Sequence, residues 1–108
     1  MVIKVIVTGW NNGSPNNRTG SGYGIKLKRL DRDAYFSKGW PSVTIELENR
    51  DLVYPRLSNS FWKTCTELRG KKIGKWMLDN ELATWPKGNP PHFKLEHLGD
   101  RKFKLSRL

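Results

Sequence analysis

Read as a pattern of apolar and polar positions, the chain opens on Val2-Ile3-Lys4-Val5-Ile6-Val7-Thr8, a β-branched run interrupted only by Lys4. It predicts a strand with one face buried and the other partly so. Tyr23-Gly24-Ile25-Lys26-Leu27-Lys28 then alternates cleanly, which predicts a second strand with Tyr23, Ile25 and Leu27 on one face. Ser42 to Leu47 and Leu52-Val53-Tyr54 repeat the pattern, joined through Glu48-Asn49-Arg50-Asp51 as a hairpin. Before them, Leu30 to Phe36 fits a single short helical turn capped by Asp31 and closed by Tyr35-Phe36. Gly39-Trp40-Pro41-Ser42 is a turn.

The period changes after residue 59. Phe61, Cys65 and Leu68 take helical spacing, and so do Ile73, Trp76, Met77 and Leu82, with no proline between Asn59 and Ala83. These positions predict two helices within 60–83, an N-cap at Ser58 or Ser60, and a tight joint at Arg69-Gly70-Lys71. Thr84 to Pro91 holds three prolines and is a loop. Phe93 to Glu96 and Lys102 to Leu105 alternate again, turning at Leu98 to Arg101. Four strands, a helical pair and a hairpin make an α+β fold. The expectation is one domain over 1–108, a curled antiparallel sheet or half-open barrel of about six strands, with the two-helix insertion before the C-terminal hairpin.

One segment does not fit a simple turn: Gly9-Trp10 through to Tyr23, over a dozen polar, glycine-studded residues. Its glycines lead into a strand, not a helix, and no Gly-Lys pair closes it, so the phosphate-loop and dinucleotide patterns both fail. The composition predicts a mobile, solvent-facing loop with Arg18 at its tip and an aromatic at each end. A base stacked on such an aromatic contributes about 1–3 kcal/mol with little regard to its identity. The competing use of Trp10 is to anchor its own loop.

Charge sharpens this picture. Lys and Arg number 20 against 10 Asp and Glu, a net charge of +10. Residues 1–54 carry 8 basic and 5 acidic side chains, and residues 55–108 carry 12 and 5. The second half is therefore where a polyanion meets the strongest field. Arg69, Lys71, Lys72 and Lys75 cluster at the helix joint, while Lys102 and Lys104 share one strand face opposite Phe103 and Leu105. With Arg18, and with Trp10 and Trp85 as stacking platforms, they make nucleic acid, DNA or RNA, the expected partner, bound chiefly through its phosphates. Two other readings use the same residues: docking on an acidic protein partner, or a saccharide or peptide held by loop tryptophans. Solvated lysine faces and lysine-protected edge strands also account for these charges without any ligand. Everything turns on whether the helix-joint and hairpin lysines become neighbours.

The inventory for catalysis is thin. His92 and His97 lie five residues apart and take opposite faces of a strand, and Cys65 on an apolar helix face reads as a packed thiol. No nucleophile, paired-carboxylate or metal-ligand pattern emerges, so the expectation is a binding protein, not an enzyme, with no cofactor or metal. A single cysteine excludes an internal disulfide and points to the cytoplasm. No apolar stretch approaches a membrane span.

Overall fold

The computed structural model describes residues 3–108. Val2 of the first predicted strand lies outside the described residues. Seven strands form one sheet: β1 (Ile3–Asn11), β2 (Tyr23–Lys26), β3 (Thr44–Glu46), β4 (Leu52–Val53), β5 (Glu67–Arg69), β6 (His92–Gly99) and β7 (Lys102–Arg107). Their order across the sheet is β4-β3-β7-β6-β1-β2-β5. Every pairing is antiparallel except β3 with β7. The sheet is curled into a half-barrel. Its two ends approach one another where a Cβ on Gly70, directly after β5, would stand 2.6 Å from Val53 Cγ1 of β4.

Period-two alternation sorts the side chains. Val7, Tyr23, Ile25, Ile45, Leu68, Phe93, Leu95, Phe103 and Leu105 face inward and are buried. Ile73, Trp76 and Met77, from one side of helix α3 (Lys71–Asp79), close over that face, with Trp76 and Phe93 ring centroids 5.3 Å apart. Helix α1 (Arg29–Tyr35) ends on Phe36, whose ring stacks on Phe103 at 4.7 Å and 6°. Such a pair adds about 0.5–1.5 kcal/mol beyond its buried area. Asp31 does not cap α1: the N-cap is Lys28, which makes no side-chain cap bond, and Asp31 sits inside the first turn. Buried Arg32 ties α1 to the next helix, donating to the Phe61 carbonyl at 2.9 Å.

The expected two-helix insertion is corrected by the structure. Helix α2 spans only Asn59–Trp62, capped as anticipated by Ser58, and the chain then extends into strand β5. The physical reason is the open side of β2, whose backbone groups need partners. Leu27 donates to the Thr66 carbonyl at 3.0 Å, Gly70 donates to the Tyr23 carbonyl at 3.3 Å, and the Thr66 hydroxyl bonds the Leu27 carbonyl at 2.6 Å. β-Branched Thr66 favours the extended backbone that meets this need. Leu68 is thus a core residue of a strand. Its helical spacing from Phe61 is incidental.

Candidate nucleic-acid interface

Strand β1 has different neighbours along its two halves. It pairs with β6 from Ile3 to Thr8 and with β2 from Thr8 to Asn11. Each half therefore has an open side, and a cleft occupies each.

The first cleft, about 620 Å³, lies at the C-terminal end of β1. Trp10 comes to it on β1, and Trp85 from the loop before β6, so two aromatics from opposite ends of the chain converge there. Lys87 adds a cation, and Gly9, Gly13 and Gly88 leave the walls free of side chains. Gly9 lets Pro91 and Trp85 pack closely. A Cβ there would lie 3.0 Å from Pro91 and 3.2 Å from the Trp85 ring, and Gly9 N–H bonds the Pro91 carbonyl at 2.8 Å. Trp85 also meets Tyr23 edge-on at 5.8 Å. Half-buried, it is both a peg for its loop and a wall of the cleft.

Arg69 completes this arrangement through strand register. Trp10 pairs with Gly24, and Gly24 pairs with Arg69. The missing side chain at Gly24 lets the guanidinium reach across β2 and lie over the Trp10 ring, 4.9 Å from its centroid. A Cβ at Gly24 would stand 2.4 Å from the Leu68 carbonyl oxygen. Arg69 is itself steadied by Glu67 at 3.5 Å, whose side chain is buried. Of the residues singled out from the sequence, Trp10 and Trp85 therefore line one cleft, and Arg69 adjoins it through its contact with Trp10 while lining a separate pocket with Tyr54 and Arg56.

The glycine-rich loop faces solvent at Asn12 to Ser14 and at Asn16 to Arg18, as expected, and is also docked on the body at buried Gly20. Asn11, Asn12 and Asn16 each turn a side-chain oxygen back to accept a backbone N–H two residues on. Tyr23 donates its hydroxyl to Asn17. A Cβ on Gly74 would fall 2.1 Å from the Gly20 carbonyl oxygen, so loop and α3 meet backbone to backbone. This contact sets Thr19 beside Lys71, Lys72 and Lys75, with Arg18 exposed next to it. The loop separates the tryptophan cleft, lined by its Gly13, from the lysine face, lined by its Thr19. Lys75 shares its charge with Asp79 at 3.0 Å.

The hairpin lysines are placed elsewhere. Lys104 pairs with Glu96 on one side and Glu46 on the other, and Glu96 in turn pairs with Lys4. This is a row of alternating charge across the outer face. Lys102 is exposed at the start of β7 beside Thr44. Strands β3 and β4 stand between Lys104 and Lys72, with Glu46 in the path. The helix and hairpin lysines thus do not form one uninterrupted basic surface.

The second cleft, about 600 Å³, lies beside the N-terminal half of β1 and was missed in the sequence. Lys26, Lys28, Arg29 and His92 line it with Ile6 and Thr8, and none of its lining residues is acidic. The signal for it is not in spacing, because these cations read as the solvent side of ordinary strands. It arises from the point at which β2 leaves β1. His97 lies on the other face of β6, stacked on Phe103 at 4.7 Å with Nε2 donating to the Asp100 carbonyl. Among the described residues no three His, Cys, Asp or Glu side chains gather to hold a metal ion, and no helix is long and apolar enough to cross a membrane. Compared with protein-family models, curated proteins and solved structures, the chain matches none of them.

Proposed function

We propose that the protein binds nucleic acid by taking unpaired bases into the Trp10–Trp85 cleft. The observation that carries this reading is the convergence of the two tryptophans on one open cleft with Lys87 in its wall and Arg69 over Trp10. Bases within a duplex expose only their edges to a protein, whereas an unpaired base offers its whole face to an aromatic ring. Of the glycines in the walls, Gly13 and Gly88 have open space beside them and leave room for that approach. Phosphates flanking the stacked base meet Lys87 on one side, and Arg18, Lys71, Lys72 and Lys75 across the loop.

The division of labour is chemical. Stacking tolerates every base, and lysines read charge without sequence, so affinity is broad and salt-sensitive. About five neutralised phosphates on a single strand give a log–log salt slope of about −3.5. The test is a salt-dependent titration with labelled single-stranded oligonucleotides, followed through tryptophan emission. Expected are a slope of this size and quenching that saturates with binding. A slope near zero, or emission unchanged at saturation, removes the reading.

A further inference from the structure

The N-terminal half of β1 offers something that the tryptophan cleft does not. Pairing with β2 stops at Thr8, so among the described residues Ile3 to Val7 meets a strand only on its β6 side. Alternate residues of an antiparallel strand turn both N–H and C=O to the same neighbour. The open side of this stretch therefore carries a short row of alternating backbone donors and acceptors, and it runs into the 600 Å³ groove at Ile6 and Thr8. Proteins generally cover or blunt such an edge, because it templates pairing with another chain. Ile6, on the same stretch, is 42% exposed and lines the groove, a side chain against which an added strand packs.

Charge selects the occupant. Lys26, Lys28 and Arg29 stand along the groove, and among the described residues none of them is in an ion pair. We propose that this groove accepts an extended acidic segment of another protein as an added strand beside β1, its carboxylates meeting these three cations. A peptide backbone offers N–H groups as well as carbonyls and satisfies both halves of the edge. A phosphodiester backbone only accepts, so it leaves the carbonyls of β1 without partners. The groove shares no lining residue with the tryptophan cleft, so the inference stands independently of the nucleic-acid reading.

The test uses a labelled peptide of alternating Glu and Val, titrated by anisotropy, with amide hydrogen exchange read over Ile3 to Val7. Expected are saturable binding and slowed exchange in that stretch. Methylating alternate peptide nitrogens removes the donors and abolishes binding. Reversing Lys26→Glu with Lys28→Glu weakens binding more than about tenfold and transfers preference to a Lys/Val peptide of the same pattern. That gain separates lost charge from lost folding. Binding without protection of Ile3 to Val7, or indifference to methylation, overturns the proposal. So does an oligonucleotide that protects those amides better than the peptide does at equal concentration.

Discussion

Gly74 sits inside a helix, where alanine is normally better by about 1 kcal/mol. Here the sign reverses, because the added methyl would stand 2.1 Å from the Gly20 carbonyl oxygen and 2.7 Å from Tyr23 Cβ. Backbone must move to admit it, and overpacking of this kind costs about 1–3 kcal/mol. Gly74→Ala is therefore expected to lower the urea midpoint, while Gly39→Ala, whose Cβ meets nothing within 4 Å, leaves it nearly unchanged. A raised midpoint for Gly74→Ala contradicts the docking of the loop on α3. Tyr23 supplies a pH-dependent counterpart. Burial pushes its phenol above the ordinary tyrosine value. The unfolded chain gives up this proton first, near pH 10, so the contribution to stability is whole below that pH. It is lost as pH rises toward the higher folded value. Tyr23→Phe is expected to flatten the fall in stability above about pH 10, measured by denaturant unfolding at stepped pH. At the proposed binding site, Trp10→Ala removes one stacking surface and is expected to cost about 1–3 kcal/mol of single-strand affinity. Trp10→Phe retains most of it, and an unchanged Kd for Trp10→Ala takes Trp10 out of the interface.

At the scale of elements, α3 and the loop act together. Lys71, Lys72 and Lys75 project from the side of α3 opposite buried Ile73, Trp76 and Met77, and Thr19 of the loop abuts them. Changing all three lysines to Ala is expected to weaken binding evenly across sequences and to reduce the salt slope by about 2. Tryptophan quenching at saturation should keep its amplitude, because the cleft is untouched. These elements were not equally readable from the chain. Alternation located β1, β2, β6 and β7, and Ser58 marked the start of α2, since both signals are local. Thr64 to Arg69 was not readable. Phe61, Cys65 and Leu68 mimic a helical stripe, and what decides otherwise is the unpaired side of β2, some forty residues earlier. The site shows the same limit. Trp10 and Trp85 stand out individually, yet their meeting depends on β6 lying beside β1 and on the small Gly9. The cationic groove was invisible for a related reason: Lys26 and Lys28 look like any outward strand residues until β2 departs from β1 at Thr8.

On the scale of the whole molecule, a net charge of +10 says little about where a polyanion binds, because the fold distributes that charge unevenly. Lys104 lies in a row with Lys4, Glu96 and Glu46, and nearby Arg107 is bonded to Glu48 at 2.9 Å. There the field of each cation is largely cancelled within one or two strand spacings. On α3 the only comparable offset is Asp79 against Lys75. Screening at 0.1 M salt acts over about 10 Å, so a bound phosphate responds to its immediate surroundings more than to the total. Two double variants with identical loss of charge separate these influences. Lys71→Ala with Lys72→Ala is expected to weaken single-strand binding about tenfold at low salt, through the loss of two phosphate contacts. Lys102→Ala with Lys104→Ala removes the same formal charge from the strand in which Lys104 is flanked by Glu96 and Glu46, away from the tryptophan cleft, and is expected to change affinity less than about twofold. Lys71, Lys72 and Lys102 are exposed and Lys104 is half-buried, so the unfolding midpoints should stay close to that of the parent and are measured as the folding control. Equal losses in the two variants mean that total charge governs attraction, and the assignment of phosphate contacts to α3 then fails. A larger loss from the hairpin pair moves the interface to the outer face of β6 and β7, away from the tryptophans. A larger loss from the helix pair, joined to the affinity loss of Trp10→Ala, ties charge and stacking to the two sides of one docked loop.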